Sequence, residues 1–193
     1  MPETYSPSSE HEVADFIKNC NSQEIPIEIT GHNSKPIGRL IQCSKSLNLK
    51  NLSGIIEYFP EELYIKVKSG TPLALIEKEL DKKNQELSFE PSDMGFLYNG
   101  KSNKGSVGGA VACNLSGSRR FRAGALRDHI LGFRGVNGKG EIVKSGGTVV
   151  KNVTGYDVSK LITGSYGTLV ALTEIVLKAV SYTHLRAHET VLD

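Results

Sequence analysis

Cysteine and net charge are both scarce in this chain, and each shortage excludes a class of protein. Three cysteines in 193 residues are odd in number and lie far apart, which argues against a disulfide framework. They also lack the close thiolate spacing of an iron–sulfur site, and we predict no metal site. The formal net charge is only +2, so nothing in the composition calls for nucleic acid as a partner.

Long apolar runs are missing as well. No stretch approaches the roughly 20 residues that span a bilayer, and the start Met1-Pro2-Glu3 has neither the basic nor the apolar region of a signal peptide. We therefore expect a cytoplasmic protein of one or two domains, long enough to bury a core. Its basic cluster, residues 119–122, is interpreted as a solvated loop, with a phosphate or partner contact as the alternative.

Glycine, in contrast, is abundant, with 20 residues, of which nine fall in three separate elements. The first element, residues 31–35, comes directly after a predicted strand. The second is Gly105-Ser106-Val107-Gly108-Gly109-Ala110, and the third lies within residues 146–178. Glycine lets backbone N–H groups approach a ligand that a side chain would block. Three separated elements of this kind suggest a long ligand held mainly by backbone, and a dinucleotide is the obvious candidate.

Apolar periodicity predicts short helices and strands. The i, i+3, i+4 stripe of Val13, Phe16 and Ile17 predicts a helix capped by Ser8, and Thr71-Pro72 predicts the start of a second helix with Thr71 as its N-cap. Further helical turns are expected after Gly108-Gly109 and at residues 158–162.

Strands are expected at residues 25–30, 52–58, 63–69 and 169–180. Asn137-Gly138, between two β-prone runs, predicts a hairpin. Because helices and mostly antiparallel strands interleave without a regular βαβ rhythm, we predict an α+β fold rather than a Rossmann domain.

Several short motifs in a fixed order carry a resemblance to a known family. They are GTPL at 70–73, FEP at 89–91, VGGAVA at 107–112, GALRDHILG at 124–132, VNGKGE at 136–141 and the stretch 146–178. Together they resemble the FAD-binding subunits of glycolate oxidases, within the vanillyl-alcohol-oxidase-type (PCMH-type) flavoproteins. The resemblance covers roughly residues 5–180.

The resemblance implies a PCMH-type FAD-binding fold of two α+β subdomains with FAD between them. We place the subdomains at residues 1–67 and 68–180. The family continues into a cap domain, which this chain lacks; residues 181–193 match nothing in the pattern, and we interpret them as a non-native tail of a truncated product. His184 and His188 in that tail are spaced like a helical metal pair, but we assign them no role.

The resemblance also implies which residues bind FAD, without covalent attachment. The first pyrophosphate loop is Gly31, His32, Asn33, Ser34 and Lys35. The second, at a helix start with exposed N–H groups, is Ser106, Val107, Gly108 and Gly109. The segment close to the flavin contributes Lys151, Asn152, Gly155, Tyr156 and Asp157, followed by Gly164 and Gly167.

Structural alternatives stand beside these assignments. The first loop is otherwise a plain turn at the end of a strand, the second a close-packed helix start, and Asp157 a helix cap. Covalent attachment through His32 is disfavoured because Asn33, not the histidine, stands immediately before the serine. Arg127 and Asp128 are expected to form a buried pair.

The function implied by the resemblance is oxidation of glycolate to glyoxylate by hydride transfer to flavin. The implied partners are a second flavin subunit and an iron–sulfur subunit, with a small 2-hydroxy acid as substrate and with peripheral membrane association left open. No catalytic base or carboxylate clamp is assigned, since His129 is only a weak candidate.

Three alternatives stay open. The chain is a non-catalytic FAD-carrying scaffold or electron-relay subunit, a cell-wall precursor reductase with a similar VGGA turn, or a fragment that never holds flavin. The KNVTGYD and ALRD segments disfavour the reductase.

Overall fold

The computed structural model of the chain describes residues 2–35, 42–147 and 156–181. Its strands are β1 Glu3–Tyr5, β2 Ile27–Thr30, β3 Lys45–Asn48, β4 Ile55–Phe59, β5 Tyr64–Lys68, β6 Gln85–Glu86, β7 Ile130–Asn137, β8 Ile142–Gly146, β9 Val170–Lys178 and β10 Val180–Ser181. Its α-helices are α1 Glu10–Ser22, α2 Leu73–Asp81, α3 Gly95–Asn99, α4 Val107–Cys113, α5 Arg120–Ala123 and α6 Val158–Ile162. Short 3₁₀ helices lie at Leu49–Asn51 and Leu126–Asp128.

These strands form two main sheets. The first is small and parallel, in the order β1-β3-β2. The second is antiparallel, in the order β4-β5-β9-β7-β8, and a minor pair joins β10 to β6. Helices and mostly antiparallel strands therefore alternate irregularly, as the predicted α+β fold requires.

The division between the sheets falls earlier than the predicted subdomain boundary at residue 67. Strands β4 and β5 precede that boundary, yet β5 pairs with β9 along its whole length, Tyr64 lying opposite Lys178 and Lys68 opposite Glu174. The chain thus passes from one sheet to the other between Asn48 and Ile55. Of the predicted non-native tail, Ser181 pairs with Gln85 in the minor sheet, and residues 182–193 lie outside the described part of the chain.

Two apolar clusters hold the elements together. The larger packs α2 and α4 against the antiparallel sheet, with Phe89, Leu126 and Ile175 among its fully buried side chains. The smaller joins α1 to both sheets, and its members are Val13, Ala14, Ile17, Leu47, Leu49, Leu52, Val136 and Ala171. Burial of a leucine, isoleucine or phenylalanine side chain contributes about 1.5–3 kcal/mol, so both clusters favour the packing of the helices on the sheets.

Local signals in the sequence place most elements but miss some caps. Helix α1 is capped by Ser9, whose Oγ accepts from Glu12 N, whereas the predicted cap, Ser8, donates to the Glu12 carboxylate instead. The hydroxyl of Thr71, the predicted cap of α2, donates to the carbonyls of Gly54 and Lys68, and the helix begins after Pro72. In both cases the hydroxyl is hydrogen bonded, but not to an N–H group of the first helical turn.

Two further expectations have mixed outcomes. The Asn137-Gly138 hairpin is confirmed, with β7 and β8 antiparallel on either side of it. The buried Arg127–Asp128 pair is wrong, because both side chains are exposed and the Asp128 carboxylate accepts from Ala125 N. Within the described ranges, no helix combines the length and apolarity needed to cross a bilayer.

A partly buried carboxylate links α1 to the antiparallel sheet. Glu10, in the first turn of α1, accepts from Arg134 Nη2 on β7 at 2.6 Å and from Thr173 Oγ1 on β9 at 2.6 Å. Partial burial opposes ionisation, but the hydrogen bonds from Arg134 and Thr173 outweigh it and hold the pKa of Glu10 below its ordinary value. The ionised form is therefore the one that the fold stabilises.

We predict that Glu10→Gln lowers the free energy of unfolding by about 1–2 kcal/mol at pH 7, because it weakens charge-assisted hydrogen bonds. A carboxyl with a lowered folded pKa contributes stability above its unfolded pKa, near 4.5, and loses it as the pH falls through the folded pKa. The difference between E10Q and the parent should therefore disappear in acid.

Urea unfolding across pH 3–8 measures this difference. Asp15→Asn is the matched control, because Asp15 lies exposed on the same helix, and it should change stability little at any pH. A gap between E10Q and the parent that persists undiminished in acid would contradict the assignment.

Candidate functional site

A cleft lies where the two sheets meet beside α4. It encloses about 430 Å³, counting the space open to solvent. Its walls come from the end of β2, the turn after β5, the start of α4 and the turn that leads into β9. The lining residues are Ile29, Thr30, Gly31, Leu49, Ser69, Ser106, Gly108, Gly109, Ala112, Tyr166, Gly167, Val170 and Leu172. The cleft thus brings together parts of all three glycine-rich elements.

The first element approaches the second without room for a side chain. A Cβ on Gly31 would lie 2.8 Å from Ser106 Oγ, and the Gly31 carbonyl accepts from Asn48 Nδ2 at 3.1 Å. Asn33 takes the left-handed conformation, with φ of 49°, as its tolerance for positive φ allows. In the described ranges, the N–H groups of His32, Asn33 and Ser34 have no acceptor. This loop therefore offers unpaired donors to a ligand.

Lys35 gives this loop a partly buried positive charge. Its Nζ donates to Lys104 O at 2.5 Å and to Ser34 Oγ at 3.2 Å, and no carboxylate of the described ranges forms an ion pair with it. Burial lowers the pKa of Lys35, although Cys113 and Asp93 nearby oppose that change. A cation without a counter-ion at this depth favours an anionic ligand.

The second element is arranged differently from the prediction. Its N–H groups were expected to be exposed, but Val107 N donates to Thr71 O, Gly108 N to Ser69 O, and Gly109 N to the capping Ser106 Oγ. The start of α4 is thus the close-packed alternative: a Cβ on Gly108 would lie 2.8 Å from Ser69 O. Gly108 and Gly109 still border the cleft. They let a ligand lie close to the backbone of α4, but their N–H groups are already hydrogen bonded.

Of the two predicted glycines that are described in the third element, Gly164 and Gly167, the second borders the cleft. Gly167 lines the cleft, with φ of 77°, whereas Gly164 packs against Asn114 and donates its N–H to Val111 O. Between them stands Tyr166, which the sequence analysis did not single out. Its only signal in the sequence is the flanking pair of glycines.

The predicted flavin segment is only partly described. Lys151, Asn152 and Gly155 lie outside the described residues. Asp157 caps α6, because its Oδ1 accepts from Lys160 N at 3.1 Å, which is the structural role weighed for it. Tyr156 is 94% exposed and is therefore available to a ligand or a partner.

Neither described histidine near the site is free to act as a base. His32 Nε2 lies 3.0 Å from Gly70 O, and this hydrogen bond holds the ring against the turn after β5. His129 is buried, with Nε2 2.8 Å from Ala123 O and Nδ1 3.4 Å from Ser88 Oγ. Burial lowers the pKa of His129, so its ring is neutral and committed to hydrogen bonds within the fold.

One polar group in the cleft wall was missed from the sequence. Ser69 is almost fully buried, and its Oγ has no hydrogen-bond partner among the described residues. Buried hydroxyls are normally paired, because an unpaired one costs free energy. This unpaired hydroxyl, the free N–H groups of the first loop and Lys35 together match what a ligand bearing phosphates and hydroxyls requires.

Comparison with known proteins agrees with this geometry. The profile of the FAD binding domain family matches residues 4–146. Glycolate oxidase subunit GlcE of Escherichia coli (strain K12) is 42% identical over 163 residues, which cover 84% of this chain and 44% of that protein. D-lactate dehydrogenase of Anaerostipes hadrus is 33% identical over 175 residues, covering 90% and 35%. The chain therefore spans less than half the length of these relatives.

A solved structure shows the same fold. The chain superposes on alkyldihydroxyacetonephosphate synthase with a TM-score of 0.75 at 22% identity, covering 92% of this chain and 31% of that one. This likeness confirms the predicted α+β, PCMH-type architecture. Since the family profile covers well over half of the sequence, the chain belongs to the FAD binding domain family, and FAD is the cofactor that both the sequence and the family indicate.

Proposed function

We propose that this chain holds FAD in the cleft between its two sheets, with the diphosphate on the first loop. The observation that carries the proposal is that, within the described residues, the N–H groups of His32, Asn33 and Ser34 have no acceptor and Lys35 forms no ion pair. Oriented amides in a turn make an anion site, and a nearby ammonium strengthens it. The start of α4 completes the wall on which the ligand lies.

The reaction that we propose is oxidation of a small 2-hydroxy acid, with glycolate as the first candidate. Support comes from the names of the relatives, which include two glycolate oxidase subunits and several D-lactate dehydrogenases. Bound FAD would accept a hydride from the α-carbon of the substrate. The word subunit in two of those names supports partner chains, for which we propose a second flavin subunit and an iron–sulfur subunit.

One observation favours a second candidate, a subunit that carries FAD as an electron relay or scaffold. Oxidation of a hydroxy acid needs a base for the hydroxyl proton, and His129 is neutral, buried and already hydrogen bonded through both ring nitrogens. In this alternative the base and the carboxylate clamp belong to a partner. The role of this chain is then to position the flavin.

Two measurements on the purified chain separate these functions. FAD binding is expected to give the two-banded flavin absorption spectrum, and acid precipitation should release the colour, because His32 is held against Gly70 O. Anaerobic addition of glycolate then tests chemistry: bleaching of the flavin without a partner supports the enzyme, and unbleached bound FAD supports the relay. A chain that never retains FAD would contradict both.

The glycine at the end of β2 provides a specific test. We predict that Gly31→Ala weakens FAD affinity about tenfold, because the new methyl group would meet Ser106 Oγ and displace either the loop or the α4 cap, at a cost of about 1 kcal/mol or more. Gly138→Ala is the control, since a Cβ there meets nothing within 4 Å. Equal dissociation constants for G31A and G138A in fluorescence titrations would refute the placement of the loop.

Lys35 is the second test. Replacing it with methionine removes the positive charge but keeps a chain of similar length, and we expect FAD affinity to fall by about ten- to a hundredfold, the effect of a charge-assisted contact. Lys101→Met, at an exposed position, should leave the affinity unchanged. The affinity of the parent for FAD should also fall as the salt concentration rises, and the affinity of K35M should depend less on salt. If both variants show the parent's salt dependence, Lys35 does not contact the diphosphate.

A further inference from the structure

An aromatic ring in the cleft has no role in the function proposed above. Tyr166 lines the cleft and is 57% exposed. It contacts no other ring of the described residues, whose ring pairs are Tyr5–Phe16, which is stacked, and Phe59–Tyr64 and Phe89–His129, which are tilted. An exposed tyrosine at the edge of a ligand cleft is a ready surface for a planar group.

The backbone holds this ring in a conformation that tyrosine rarely adopts. Tyr166 has φ of 55°, between Gly164 at 87° and Gly167 at 77°. The turn is fixed to α4 by two hydrogen bonds, from Gly164 N to Val111 O at 3.0 Å and from Tyr166 N to Ala112 O at 2.8 Å. Positive φ at a residue with a large side chain costs free energy, and such residues cluster at ligand sites. The contacts to α4 therefore impose the position of the ring.

The rest of the cleft is suited to a flat, uncharged group. Ile29, Leu49, Val170 and Leu172 give it apolar walls, and none of the described residues that line it is charged. A reactive flavin ring needs a positive charge or an N–H dipole near its N1–C2=O edge, which these walls do not supply. Adenine needs only apolar contact and stacking, and base–aromatic stacking is favourable for every base.

From this geometry we infer that Tyr166 is the stacking platform for the adenine ring of the dinucleotide. The inference rests on the proposed function that the chain binds FAD. It places the adenine half between the end of β2 and the Tyr166 turn. The diphosphate then runs along the first loop toward Lys35, and the isoalloxazine lies beyond it, outside this cleft.

Binding of three probes to the flavin-free full chain tests the inference: FAD, ADP (which lacks the flavin) and FMN (which lacks the adenine). We expect Tyr166→Gly to weaken FAD and ADP about tenfold by calorimetry, the usual effect of losing one stacked base, and to leave FMN unchanged. Tyr166→Phe should match the parent, because it keeps the ring. Tyr98→Leu, at another exposed tyrosine, is the control and should bind all three probes as the parent does.

Melting temperatures separate binding from folding. Glycine adopts positive φ freely, so Y166G should melt no lower than the parent even though it binds ADP more weakly. Weakened FMN with unchanged ADP would overturn the adenine assignment in favour of the flavin ring, and unchanged affinity for FAD and ADP would overturn stacking altogether. Failure of the parent chain to bind FAD would instead defeat the proposed function, and the inference with it.

Discussion

The contact between the start of α4 and the turn after β5 determines the shape of the site. Three backbone hydrogen bonds join them, from Gly108 to Ser69, from Val107 to Thr71 and from Leu73 to Gly105. They bring the two segments so close that a methyl group on Gly108 would strike the Ser69 carbonyl. Because amides that bind the protein cannot also bind a ligand, this contact turns the second glycine element into a wall and leaves the donor role to the first.

The smaller sheet supplies the other side of the cleft, and α1 fixes its position. The apolar residues of α1 pack on β3 and on Val136 and Ala171 of the antiparallel sheet, while Glu10 binds across β7 and β9. Helix α1 therefore contacts both sheets and fixes their relative position. The loop at residues 31–35, which we propose binds the diphosphate, leaves the smaller sheet at Gly31, so its position depends on these contacts.

Local signals explain which features the sequence could reveal. The Asn137-Gly138 hairpin, the capping of α6 by Asp157 and the left-handed Asn33 depend on residues that are neighbours in the chain, and each follows from turn or cap chemistry. The order of the glycine motifs was enough to indicate the fold. Strands β1 and β3 escaped prediction because their residues, ETY and KSLN, show no alternation of β-branched apolar and polar side chains, whereas the similarly short β2 (IEIT) does.

The features that the sequence could not reveal depend on distant partners. The amides of α4 find their acceptors at Ser69 and Thr71, more than thirty residues away, so no local pattern shows that they are occupied. Likewise, the sequence alone does not show that Ser69 and Tyr166 both line the cleft, because the cleft forms only when distant segments pack together. The site residues inferred from family resemblance stay predictions, and which of their N–H groups are unpaired depends on tertiary contacts that no local pattern shows.

The desolvated ammonium of Lys35 has a thermodynamic consequence. Burial lowers the pKa of Lys35. An anion bound beside the ammonium would raise that pKa again, because an opposite charge favours the charged form. At pH values in the range of that lowered pKa, binding of an anion would be coupled to proton uptake by Lys35, and the affinity for the anion would decline as the pH rises through that range. The loop that receives the diphosphate would in this way also make cofactor retention sensitive to the acidity of its surroundings.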